Sequence, residues 1–138
     1  MVELNDIAAD LDLVENGKWF TYYKDFAVRW ASSQNPDFQK ALVKAGASAR
    51  KTFRSDSAML SEHLAKQRDR LAIVHLCKDW RGARWEGQDL PFSIDNALKI
   101  FLDRRFASLK VWMWDCVGDD GEYVAEEQEN LGKDSENA

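Results

Sequence analysis

Apolar positions along this chain fall into blocks with two different periods. Leu4, Ile7, Ala8, Leu11 and Val14 recur at intervals of three and four and predict a short first helix, capped by Asn5 or Asp6 and closed at Gly17. The period then drops to two. Residues 18–23 and 26–31 are rich in aromatic and β-branched side chains, and Phe26, Val28 and Trp30 alternate with Ala27, Arg29 and Ala31. That pattern predicts a β-hairpin at about 18–31, half-buried on one face, with Lys24-Asp25 as a turn that lacks glycine. A lone hairpin is marginal in water, so this one must pack on the helices or on another chain.

Helical spacing resumes at Asn35-Pro36, where the asparagine is placed to cap and the proline to occupy the first helical position. Phe38, Ala41, Leu42 and Ala45 share a face, and Gly46 is expected to weaken or end the helix. Residues 47–57 read equally as a frayed continuation or a linker. From Ser57 a longer helix is expected to run to about Trp80, on a stripe of Leu60, Leu64, Leu71, Ile73, Val74, Leu76, Cys77 and Trp80. A loop punctuated by Gly82 and Gly87 follows. Leu90-Pro91-Phe92 is then extended, because proline disfavours the helical region for the residue before it, and Ser93 caps the next helix. Ile94, Ala97, Leu98, Phe101 and Leu102 form that helix, Asp103-Arg104-Arg105 interrupts it, and Phe106, Leu109, Trp112, Met113 and Cys116 resume until Gly118 and Gly121. The fold class is therefore mostly α with a small N-terminal β-hairpin. One helical domain spans residues 1–125, and an acidic disordered tail spans 126–138.

Charge sharpens this picture. Residues 1–17 carry five acids and no Lys or Arg, residues 18–118 carry 18 bases and 11 acids, and residues 119–138 carry one base and eight acids. A mildly basic body lies between two acidic ends. The net charge of -5 disfavours a nucleic-acid partner, which repels a net negative surface. No apolar run reaches the ~20 residues of a membrane span, and the acidic start does not resemble a secretory signal. Cys77 and Cys116 fall on apolar stripes and read as reduced core residues rather than a disulfide or metal pair.

Candidate chemistry is thin. His63 and His75 stand on one helix with no further ligand at metal-site spacing, so His63 reads as a surface residue and His75 as a partly buried one. Ser93 lacks a nucleophile elbow, and the Gly82…Gly87 loop is followed by no Gly-Lys-Ser/Thr. Asp115…Asp119-Asp120-Gly121-Glu122 lacks the alternating acids of a calcium loop. No catalytic, metal or cofactor residue is assigned. Arg50, Lys51, Arg54, Lys66, Arg68 and Arg70 form a basic stripe, diluted by Asp56, Glu62 and Asp69. Six tryptophans are more informative. Trp112 and Trp114, two apart on a helix, cannot face the same core, so at least one tryptophan is expected at the surface or at a protein interface, where Trp is enriched. Trp85, Trp112, Trp114, Phe92 and Trp30 are the candidate partner-binding residues.

Short motifs then carry a resemblance. Glu15-Asn16-Gly17-Lys18-Trp19 before an aromatic hairpin, Asn35-Pro36-Asp37-Phe38-Gln39-Lys40-Ala41-Leu42, and Asp79-Trp80-Arg81-Gly82 … Gly87 … Leu90-Pro91-Phe92-Ser93 are similar to segments of phage tail assembly chaperones, as is the Glu-rich end with Glu129-Asn130-Leu131-Gly132. The resemblance covers about residues 13–132. It implies a non-enzymatic protein of the host cytoplasm that holds the tape measure protein soluble during tail assembly. It further implies the major tail protein as a second contact, homo-oligomer formation along the client, and no membrane. Two other readings remain open: a virion structural protein of the minor tail or head–tail connector, and a small nucleic-acid-binding regulator.

Overall fold

The alternation in Phe26–Trp30 belongs to a strand at the centre of a sheet, not to half of an isolated hairpin. In a computed structural model, which describes residues 1–125, β1 (Lys18–Tyr23) pairs antiparallel with β2 (Phe26–Trp30). On its other side β2 pairs antiparallel with β3 (Cys77–Arg81). The fold is mostly helical with this N-terminal sheet built on the expected hairpin, and the acidic tail expected from residue 126 lies outside the described residues.

β3 corrects the sequence reading. The helix expected to reach Trp80 is α3 (Ser57–Leu76), and it stops four residues earlier. Trp30 pairs with Cys77 and Arg29 with Asp79, so Lys78 is an extra residue on β3, a bulge. In a regular strand, residues three apart point to opposite faces. The bulge turns both Cys77 and Trp80 inward, and both are buried. Their spacing of three therefore imitates a helical stripe while belonging to a kinked strand.

The helices follow their caps. α2 (Pro36–Thr52) starts where Asn35 Oδ1 accepts hydrogen bonds from the Asp37 and Phe38 amides at 3.0 and 3.1 Å. It does not end at Gly46, one of the two outcomes expected there, and it absorbs residues 47–52 of the stretch left open between 47 and 57. Gly46 is buried in α2, which packs along α3, so burial outweighs its weak propensity of roughly 1 kcal/mol. Ser93 caps α4 (Ile94–Phe101) through the Asn96 amide at 3.0 Å, as its position predicts. A 3-10 turn at Arg104–Phe106 separates α4 from α5 (Ala107–Val117), matching the expected interruption. The first helix is shorter than expected. α1 (Leu11–Asn16) is capped by Asp10 rather than Asn5 or Asp6, after a separate 3-10 turn at Leu4–Asp6.

Between β3 and α4 lies a second hairpin, read from sequence only as a glycine-marked loop. β4 (Arg84–Trp85) and β5 (Gln88–Asp89) are joined by Glu86 and Gly87 at φ 53° and 78°. Two successive positive φ values make the two-residue turn whose twist suits a tight hairpin.

The core lies between the sheet, the last two helices and the end of α3, with Phe38 of α2 joining it. Trp30 is 0% exposed and meets Phe101 of α4 and Trp112 of α5 at ring separations of 5.1 and 6.1 Å. A 3-10 turn at Asp120–Tyr123 closes the fold by donating the Tyr123 hydroxyl to the Trp30 carbonyl at 3.0 Å. Beside it, Ala9 bridges Val124 and the Asp10 amide donates to the Tyr123 carbonyl at 2.7 Å. Both ends of the described chain thus sit at the Lys18 end of β1, where Lys18 pairs with Glu122 at 2.7 Å. Among the described residues no helix is long and apolar enough to cross a membrane.

Candidate protein-binding cleft

The five residues expected to meet a partner are dispersed by the fold, and one is removed from consideration. Trp30 is the centre of the core and has no surface to offer, which corrects its assignment. Its place in an alternating strand signalled a buried face, and that face packs inside this chain. Phe92 is half-buried with its ring edge-on to Trp80 at 5.4 Å. Trp112 and Trp114 do point to different sides of α5, as their spacing requires. Both are nevertheless half-buried. Trp112 packs on Tyr22 and Phe26 at 4.9 and 6.4 Å. Trp114 donates its indole N–H to Asp69 at 2.9 Å, lies 6.4 Å from Phe38 and carries the Arg68 guanidinium over its ring at 4.5 Å. A second helical layer covers the residue that a single core could not, so neither ring is left over.

Trp114 lines a shallow cavity with Arg68 and Asp69, and of the five only Trp85 lines the aromatic cleft. The cleft holds about 350 Å³ and has three walls. Tyr22, Tyr23 and Phe26 come from the tip of the first hairpin, Trp80, Ala83, Arg84, Trp85 and Leu90 from β3 and the second hairpin, and Ile100, Phe106, Ser108 and Leu109 from α4, α5 and their junction. Each wall is held locally. The Trp80 indole donates to the Leu90 carbonyl at 2.9 Å and so clamps the second hairpin against β3. Trp85 stands nearly perpendicular to Phe106, 5.8 Å away, and the Tyr22 hydroxyl bonds Ser108 at 3.3 Å. Gly82, at φ +75°, lets β3 pass the first hairpin so closely that an added Cβ would sit 2.2 Å from the Asp25 carbonyl oxygen.

Cations ring this apolar surface. Lys99 and Arg105 lie over Trp85 at 5.1 and 5.2 Å, and Lys24 lies over Tyr23 at 5.2 Å. Arg105 is fixed by Asp103 at 2.7 Å, and its hydrogen bonds hold the Asp103 carboxyl down at about 2. Tyr23, 65% exposed, and Tyr22 are site residues that the sequence reading missed. A register shift between Thr21 and Tyr23 interrupts the alternation of β1 at these residues, and two aromatics beside a hairpin turn were the available signal.

The remaining chemistry is quiet. Burial pushes the Cys116 thiol up to about 12 and that of Cys77 higher still, so neither is a thiolate near neutral pH. His63, expected at the surface, is half-buried against Phe53 at 5.0 Å. Among the described residues no group of three or more His, Cys, Asp or Glu is placed to hold a metal ion. Of the basic stripe, Lys66 pairs with Glu62 at 3.2 Å and Arg68 stacks on Trp114, so two of its six cations are engaged within the chain. What the cleft can do is seat one or two apolar side chains of another polypeptide and hold their flanks by charge. Compared with protein-family models, curated proteins and solved structures, the chain matches none.

Proposed function

We propose that this protein is a tail assembly chaperone of a long-tailed phage, acting in the host cytoplasm, which keeps the tape measure protein soluble by binding its apolar helical stripes in the aromatic cleft. The observation that carries the reading is a coincidence of place. The segment that resembles the family, Asp79-Trp80-Arg81-Gly82 through Leu90-Pro91-Phe92-Ser93, includes the second wall of that cleft. Trp80, Gly82 and Leu90 all line it. A long amphipathic client helix presents anchors at every third or fourth residue, and an aromatic-lined groove is the common receptor for such anchors. No bond-making step is required of the site.

The test is co-expression with the tagged tape measure protein of the same phage. The chain should be retained on the client and move it from the pellet to the supernatant. Trp85→Ala and Tyr23→Ala should each cut capture at least tenfold, the size of an interface anchor worth about 2 kcal/mol. The melting temperature of Tyr23→Ala should stay near that of the parent because its ring is 65% exposed, whereas Trp85→Ala also loses the contact with Phe106 and is scored by capture in excess of its loss of stability. Failure to retain or solubilise the client, or loss of capture only in step with loss of folding, would defeat the proposal.

A further inference from the structure

β1 is an edge of the three-stranded sheet, and the direction of its backbone groups follows from the bonds made by β2 and β3. The Ala31 amide donates to the Leu76 carbonyl at 2.8 Å. The Trp80 amide donates to the Asp79 carboxylate at 2.8 Å and not across the ladder to Val28. Backbone groups of Ala27, Arg29 and Ala31 therefore turn toward β3, and those of Val28 and Trp30 turn toward β1, where they meet Phe20 and Lys18. The N–H and C=O of Trp19 and Thr21 must then point out of the sheet, and among the described residues no backbone partner meets them. The opposite edge differs, because the Asp79 side chain occupies the outward Trp80 amide.

Beside this open edge stands a fixed pair of cations. The two ladders set Trp19, Arg29 and Asp79 in one row and Thr21, Ala27 and Arg81 in the next, all on one face. Arg81 lies over the Trp19 ring at 4.6 Å and Arg29 at 5.9 Å. Neither guanidinium makes an ion pair among the described residues. Gly17 leaves room for the Arg29 stem, since a Cβ there would stand 2.9 Å from Arg29 Cγ, and Arg29 Nε is enclosed without a hydrogen-bond partner. The outer nitrogens of that fork remain for an acceptor. An unpaired edge takes the main chain of an extended peptide, and fixed guanidinium forks select carboxylates among its side chains. A phosphate backbone would supply the charge but no N–H and C=O to pair with the edge. We infer that β1 accepts an extended acidic segment of a partner polypeptide as a fourth strand, paired with Trp19 and Thr21, with its carboxylates turned to Arg29 and Arg81. Phe26 and Trp80, which line the aromatic cleft, belong to the other face of the sheet, so the inference stands whether or not the client reading holds.

The probe is a synthetic peptide with blocked ends, Thr-Glu-Val-Glu-Val-Glu-Thr, titrated into the full chain. At saturation, hydrogen exchange read by NMR should slow by on the order of tenfold or more at the Trp19 and Thr21 amides and stay unchanged at the Trp80 amide. Thr21→Pro removes an outward N–H and no ladder bond, so the chain should keep its fold and lose about tenfold or more in peptide affinity. Arg81→Gln, at an exposed position, should weaken binding about threefold to fivefold and flatten its salt dependence. Equal affinity for the same peptide with Lys in place of Glu would overturn the inference, as would binding that Thr21→Pro leaves unchanged. So would equally tight binding of a short oligothymidylate, or Trp19 and Thr21 amides already protected in the free chain, because the edge would then be filled. None of these readings involves the tape measure protein, so client capture is scored separately.

Discussion

Gly82 and Gly87 provide a matched pair from which the cost of one close approach can be isolated. Both are left-handed, at φ +75° and +78°, so an alanine suffers the same backbone strain at either site. That strain is about 1–2 kcal/mol, offset by ~0.4–1 kcal/mol because alanine also restricts the unfolded chain. The surroundings differ completely. At Gly87 nothing lies within 4 Å of an added Cβ, whereas at Gly82 it would stand 2.2 Å from the Asp25 oxygen and 2.6 Å from the Asp25 carbonyl carbon. These are backbone atoms at a hairpin tip, so no side chain can rotate away. The tip must retreat by at least 0.8 Å to reach the shortest separation real Cβ atoms show, 3.0 Å. That movement strains the pairing of Ala27 with Arg81, the last rung between β2 and β3. One or two weakened ladder bonds at ~0.5–1.5 kcal/mol each bring the loss for Gly82→Ala to about 2–4 kcal/mol, against ~1 kcal/mol or less for Gly87→Ala. Urea unfolding followed by tryptophan fluorescence measures both. With slopes of about 1–3 kcal/mol/M, the two midpoints should differ by on the order of 1 M at unchanged slope. Midpoints within about 0.2 M of each other would show that Gly82 is not a packing constraint and that the first hairpin is not locked to β3.

Trp30→Ala should cost about 3–5 kcal/mol, the range for emptying a large aromatic site, while Val43→Ala on the exposed side of α2 should lie within about 0.5 kcal/mol of the parent by the same unfolding assay. Cys77 and Cys116 should resist iodoacetamide at pH 8 in the folded protein and react fully in urea, read by intact mass. Because the folded Cys116 thiol titrates at about 12 against an ordinary 9.0, the folded state holds its proton longer than the unfolded one. Stability should therefore be complete below pH ~9 and decline as pH rises from there toward 12, with Cys77 and Tyr123 acting in the same direction. Asp103 behaves oppositely. Its carboxyl, lowered from 3.8 to about 2, favours the fold above pH 3.8 and loses that contribution as pH falls through 2, which a carboxyl-carbon NMR titration would show as a midpoint near 2.

Local chemistry along the chain was enough for the caps at Asn35 and Ser93, the break at Asp103, the stop at Gly118 and the first hairpin, because each depends on neighbours within a few residues. The same reading ran α3 too far, since periodicity cannot distinguish a helical interval of three from a strand whose bulge resets its phase. It also left the second hairpin as a loop, because Glu86 in a left-handed conformation carries no compositional sign.

The candidate site shows the same division. Trp85 and Trp30 were both named as candidate partner-binding residues; Trp85 lines the cleft, whereas Trp30 lies at the centre of the core. Composition determined that this chain would have more aromatic surface than one helix pair could bury. Which rings were absorbed depended on a third strand and a second helical layer, brought from more than forty residues away, whose packing energies are comparable with the local preferences and sometimes opposed to them. The sequence by itself determined the locally capped helices and the first hairpin, the acidic ends and the basic body. Only the tertiary structure decided that the walls around Tyr22, Tyr23, Trp85 and Phe106 meet in one cleft, because contacts between distant segments are set by how whole faces fit and not by any residue's neighbours in the chain.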